Sequence, residues 1–106
     1  MKPVLILTTV DDHSLGEKIA KSLVKKKLAA CVNLIPNVKS IYRWKGRVID
    51  EEEFLLVIKT TKKCEQPVYQ AVGEMHSYEL PELITIGDVE AEDQYLKWIT
   101  SSVDDE

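Results

Sequence analysis

The stretch from Leu28 to Thr60 constrains this chain more than any other. It reads as two long β-strands, Ala29 to Trp44 and Arg47 to Thr60, joined at Lys45-Gly46. Strands in globular proteins usually run about 5–6 residues. A chain of 106 residues cannot cover so long a ribbon with its own helices. The excess must project, twist back or pair with another copy of the chain. The ribbon therefore predicts a subunit of a β-linked oligomer. Pro36 cannot donate to a ladder, so it and Asn37 mark a bulge inside the first strand. Beyond them Val38, Ser40, Tyr42 and Trp44 share one face and Lys39, Ile41 and Arg43 the other.

The rest of the chain supplies short elements around this ribbon. Val4 to Thr8 is an apolar run, read as a buried strand. Ser14 and Glu17 fit a capping box, and Leu15, Ile19 and Leu23, with Ala20 and Val24 beside them, form a helical stripe closed by Lys25-Lys26-Lys27. Those lysines suit the negative end of a helix dipole better than a phosphate site. Phe54 to Ile58 is apolar on both faces, as in a covered central strand. Cys64 to Met75 reads as a second helix, with Pro67 in its first turn and Val68, Val72 and Met75 inward. Leu83 to Val89 is expected as the last core strand. Ala91 to Thr100 is expected as a third helix with Tyr95, Leu96 and Ile99 inward, and Ser101 to Glu106 as a frayed acidic tail. No repeat, linker or low-complexity segment interrupts the chain, which predicts one domain over residues 1–106. The order β-α-β-β-α-β-α predicts an α+β sandwich of the ferredoxin-like, split βαβ plan. That plan hosts many functions and names none.

Composition and motif exclude several functions. The chain is 44% hydrophobic and 30% charged, with net charge −4. It has no basic face for nucleic acid, and the third-strand segment carries Asp50 to Glu53 instead of the base-stacking aromatics of an RNA-recognition module. The longest apolar runs fall far short of the roughly 20 residues of a membrane span. No secretory signature precedes Val4, so a cytoplasmic protein with two reduced thiols, Cys31 and Cys64, is expected. A phosphate-cradling loop is missing after the first strand, where Asp11 and Asp12 would repel an anion. No Cys-x-x-Cys pair is present, and no serine has a histidine and an acid in a catalytic order. Soft ligands are scarce: His13, His76, Cys31, Cys64, Met1 and Met75, none at the short spacings of a zinc site. Cys31 and Met75 read as core. His76, at the start of the loop His76-Ser77-Tyr78-Glu79, is equally a helix-terminal residue and a metal ligand. Asp50 to Glu53 reads as a solubilising guard on a projecting edge, because four consecutive strand residues cannot chelate one ion.

Five segments then take on a specific pattern. They are Leu28-Ala29-Ala30-Cys31-Val32-Asn33, Ile41-Tyr42-Arg43-Trp44-Lys45-Gly46, Ile58-Lys59-Thr60, His76-Ser77-Tyr78-Glu79-Leu80-Pro81-Glu82 and Tyr95-Leu96-Lys97-Trp98-Ile99. Together, in order and at family spacing, they resemble the CutA family of divalent-cation-tolerance proteins. The resemblance implies a tight homotrimer whose long strands pair between subunits, a cytoplasmic location, and a link to copper and other divalent metals. No enzymatic reaction is established for that family as a class; charge and the short apolar runs, not the resemblance, lead to the expectation of no nucleic-acid or membrane partner. Family members with a proposed copper site use a cysteine late in the first strand and a His-His pair. The matching positions here are Thr8, Met75 and His76, so His76 is the one strong ligand retained. Ser77 stands where the family usually has proline. The implied metal candidates are thus His76, Met75 and Cys31, with Tyr78, Glu79 and Glu82 as oxygen contacts. An alternative is a sensor trimer like the PII-type signalling proteins, taking a small molecule in clefts built from Tyr42, Trp44, Lys45, Tyr78, Glu79 and Glu82. A structural trimer that scaffolds a partner is a third expectation.

Overall fold

The computed structural model describes residues 2–103; Met1 and the tail residues 104–106 lie outside them. Four strands form one antiparallel sheet in the order β2-β3-β1-β4. The strands are β1 (Pro3–Val10), β2 (Cys31–Trp44), β3 (Arg47–Thr61) and β4 (Ile84–Ile86). The helices are α1 (His13–Lys25), α2 (Glu65–Met75), preceded by a tight turn at Lys62–Cys64, and α3 (Asp93–Ser102). This is the ferredoxin-like plan, with β1 and β3 central and two connections that carry a helix.

The core lies on one face of the sheet. Val4, Ile6 and Val10 alternate along β1, and Ile58, across from Ile6, and Leu56, across from Thr8, continue the apolar layer on β3. Ile19 and Leu23 of α1 and Val68 and Val72 of α2 close over it. Contact is tight at Gly16, where an added Cβ would stand 3.1 Å from a Val10 methyl and 3.2 Å from a Leu34 methyl. Thr8 is fully buried in this layer, and its hydroxyl has no hydrogen-bond partner among the described residues. Such an orphan costs about 1–3 kcal/mol.

Several local expectations are corrected. The α1 cap is Asp12, whose carboxylate accepts the Leu15 amide at 2.9 Å, and Ser14 is already helical. A carboxylate does this better than a hydroxyl because it also meets the positive helix end. Val24 is exposed. The last strand is only three residues long and lies at the sheet edge. Gly87 and the positive φ of Asp88, 52°, follow it directly. The Tyr69 and Thr85 hydroxyls, 2.6 Å apart, tie β4 to α2. In α3 only Ile99 is buried, while Tyr95 is exposed and Leu96 half-buried. α3 packs across β1 and β3, where the Lys59 ammonium lies 5.9 Å over the Tyr95 ring. The segment expected to fray continues the helix through Ser102, and Val103 is buried in the core.

The ribbon is as long as its sequence demands. β1 stops pairing at Val10↔Phe54, but the hairpin runs on alone from Val38↔Glu53 to Trp44↔Arg47. The subunit is accordingly drawn out, 44 × 24 × 21 Å. Lys45 and Gly46, with φ of 51° and 80°, give the two left-handed residues of a tight hairpin turn. Pro36 and Asn37 stand opposite the single residue Phe54, and Asn37 takes φ 62°, so the expected bulge is present. It exchanges the faces of β2. Before the bulge, odd-numbered residues such as Cys31 and Ile35 lie on the face of the sheet opposite α1 and α2, where α3 meets Lys59. After it, Ser40, Tyr42 and Trp44 do, alongside Glu51 and Glu53 of β3.

Candidate functional site

The loop after α2 folds back toward the base of the free ribbon, and the space between them is the main groove of the molecule. α2 ends at His76, whose amide still reaches the Val72 carbonyl at 2.9 Å while its own backbone turns extended. The His76 ring then makes two hydrogen bonds. Nε2 lies 2.7 Å from the Thr9 carbonyl oxygen, and Nδ1 lies 3.1 Å from the Tyr78 amide nitrogen. The carbonyl must accept and the amide must donate. The ring is thus a neutral imidazole with its proton on Nε2. Tyr78 packs against it, the rings tilted by 48° at 4.5 Å between centroids, and donates its hydroxyl to Glu53 Oε2 at 2.5 Å. One histidine in this way fixes the loop to β1, and one tyrosine fixes it to the ribbon.

The groove holds about 920 Å³. The ribbon supplies Tyr42, Trp44, Glu51 and Glu53, and the loop supplies Tyr78, Glu79, Pro81 and Glu82. Tyr42 donates its hydroxyl to Glu51 Oε1 at 2.5 Å. At the rim, the Lys45 ammonium sits 3.7 Å from Glu79 and 5.6 Å from the Trp44 ring centroid. That exposed pair contributes little energy. The structure thus gathers all six cleft residues expected from the sequence, five as walls and Lys45 at the rim. Glu51 and Glu53 were missed there. Their run was read as a solubility guard, yet Glu53 is only 5% exposed. The available signal was the i, i+2 spacing, which puts both on one face of a strand.

Electrostatics in the groove follow from its carboxylates. The hydrogen bond to Glu51 pushes the Tyr42 phenol up to about 12. Burial, then the bond to Glu53, raises the Tyr78 phenol further. Burial and the nearby Glu53 charge raise Glu82 above the usual carboxylate range. A raised acid holds its proton longer folded than unfolded, so stability falls as pH rises through that window. For Glu82 the loss begins above its ordinary 4.5. For the phenols it is absent below their unfolded value of 10.0 and grows above it. Urea unfolding at neutral pH and above pH 10 should show this alkaline loss, and Tyr78→Phe should flatten it.

The metal candidates do not converge within one chain. Cys31 lies across from Lys59 and Leu5, four residues along β1 from the Thr9 carbonyl that holds His76. At about 3.3 Å per strand residue that is roughly 13 Å along the sheet alone. Met75 is half-buried against the core, and Thr8 points into it. Both His76 nitrogens are engaged. Among the described residues no three His, Cys, Asp or Glu side chains cluster tightly enough to hold a metal ion. A copper site built from one chain's His76, Met75 and Cys31 therefore does not fit this geometry.

Fold and groove together define an α+β chain of ferredoxin-like plan with a projecting ribbon and an acid-lined cleft. Residues 4–102 match the family described as CutA1 divalent ion tolerance protein, and the chain belongs to that family. It is 39% identical over 95 residues to the divalent-cation tolerance protein CutA of Thermus thermophilus, covering 90% of this chain and 92% of that one. It is 38% identical over 99 residues to the chloroplastic protein CutA of Arabidopsis thaliana, covering 93% of this chain. The chain spans about half the length of that plant relative, 54%. Among solved structures, CutA1 of Oryza sativa superposes with TM-score 0.96 at 32% identity, covering 100% of this chain and 97% of that one. The Thermus thermophilus protein superposes with TM-score 0.93 at 36% identity, covering 96% and 99%.

Proposed function

We propose that this chain acts in divalent-cation tolerance as a cytoplasmic, non-catalytic homotrimer, and that copper or another divalent cation is held where subunits meet. The unpaired ribbon is the observation that carries the reading. From Val38↔Glu53 to its tip the hairpin pairs with no third strand among the described residues. A two-stranded ribbon alone is marginal in water. Ile41 and Val48 are each 67% exposed on it, and Ile84 and Ile86 are exposed on the sheet face opposite α1 and α2. Copies of the chain would cover these surfaces, and three is the number the family resemblance implies. A donor set incomplete in one chain can be completed by another. His76 would enter it through Nδ1, by giving up the Tyr78 amide.

Calorimetric titration of the metal-free trimer with Cu²⁺ tests this. Saturable binding, weakened by His76→Ala and accompanied by a shift of the Tyr78 amide resonance, is expected. Binding unchanged in His76→Ala would place the cation elsewhere.

A second reading is a sensor trimer of the PII type. The size of the groove favours it, because about 920 Å³ suits an organic ligand and far exceeds one ion.

A further inference from the structure

Glu53 is the least explained charge in the molecule. It is 5% exposed, at the base of the free ribbon, one residue before β3 begins to pair with β1. Its Oε2 takes the neutral Tyr78 hydroxyl. Its Oε1 has no hydrogen-bond partner, and neither oxygen meets a cation, among the described residues. That oxygen is not among the sealed orphan atoms, and Glu53 lines the groove, so its open side faces the cavity. A buried carboxylate is costly unless it is paired. The surrounding wall has the features of a receptor for organic cations. The Tyr42, Trp44 and Tyr78 rings flank the groove, with Glu51 and Glu82 as further acids. Aromatic faces attract a desolvated ammonium through the ring quadrupole. The acids do not converge as a metal chelate would. Leu80 and Pro81 give the mouth an apolar lip. Leu80 is 71% exposed, leaving a hydrocarbon surface for the body of a ligand.

We infer that the groove binds a small organic ammonium ion, its charged nitrogen on Glu53 Oε1 and its apolar body between the aromatic wall and the Leu80–Pro81 lip. This rests on the sensor reading of the groove and gives that reading a ligand class. Charge, size and the single unmet acceptor all point to a cation of a few to a dozen heavy atoms.

The probes are benzylammonium, its neutral isostere benzyl alcohol and the anion benzoate, titrated into the intact assembly and followed by calorimetry and by amide shifts at Glu53 and Tyr78. Benzylammonium should bind saturably, at least tenfold more tightly than benzyl alcohol, with benzoate not binding. Glu53→Gln, which keeps shape and hydrogen bonding, should remove that preference. Trp44→Ala should weaken benzylammonium while leaving Cu²⁺ binding intact. Equal binding of the ammonium and the alcohol would overturn the ligand class while leaving a small-molecule groove. No binding of any probe would overturn the groove as a ligand site. A Glu53→Gln variant that dissociates in light scattering would show the carboxylate meeting a cation of another copy, and would also overturn the inference.

Discussion

If the chain forms the proposed trimer, Ile84→Glu combined with Ile86→Glu should reduce it from three chains of 12.1 kDa to one, as read by light scattering. Both side chains project from the edge strand onto the face opposite α1 and α2, across from Leu7 and Leu5, and are 51% and 42% exposed in the single chain. In a monomer such surface changes would shift stability by only about 0.5 kcal/mol. If that face is buried between copies, each carboxylate must leave water without a partner, at several kcal/mol per ion. Symmetry places the penalty on every subunit at once. Far-ultraviolet circular dichroism should stay close to that of the native chain, because the helix-covered core on the other face is untouched. An unchanged mass would mean that the subunits do not meet through this face.

Leu56→Ala should have the opposite character, lowering stability without changing the mode of assembly. Leu56 is fully buried in β3 between Thr8 of β1 and Leu34 of β2. Its methyl lies 3.6 Å from where a Gly16 Cβ would stand, so the α1 backbone rests directly on it. Truncation there removes contacts that neither strand nor helix can close, and a loss of about 2–5 kcal/mol is expected. Urea unfolding at matched protein concentration should show a lower midpoint with an unchanged slope. The concentration dependence of the midpoint should persist, since it reports association and not the subunit core. A loss below about 1 kcal/mol would show that α1 settles into the space, contrary to the tight contact at Gly16.

The parts of the fold legible in the sequence are those where one residue type has one physical role. Lys45-Gly46 could only be a reversal, and Pro36 could only interrupt a ladder. Ile19, Leu23, Val68 and Val72 could only be the inner stripes of two helices. Elements settled by tertiary balance were read less well. The apolar stretch after Leu83 has the composition of a full strand, but Gly87 and Asp88 turn the chain away after Ile86. Asp12 outcompeted Ser14 as a cap because both chemistries fit and only geometry chooses. The groove was half legible. Tyr42, Trp44, Lys45, Tyr78, Glu79 and Glu82 were gathered by motif, whereas Glu53 looked like one of four equivalent surface acids. Its burial comes from Tyr78, 25 residues further along the chain, and composition carries no trace of such a contact.

The bulge at Pro36 and Asn37 acts as a phase shift in the pleat. Before it, β2 presents one parity of its sequence to the face opposite α1 and α2; after it, the other. A ladder that ran straight on without absorbing the extra residue would set Ile41 opposite Ile49 and Arg43 opposite Arg47. Ile41 and Arg43 would then stand beside Glu51 and Glu53, and Tyr42 and Trp44 on the far side of the ribbon. The lining of the groove thus depends not only on which residues the ribbon carries but on where a single extra residue is taken up, several positions away.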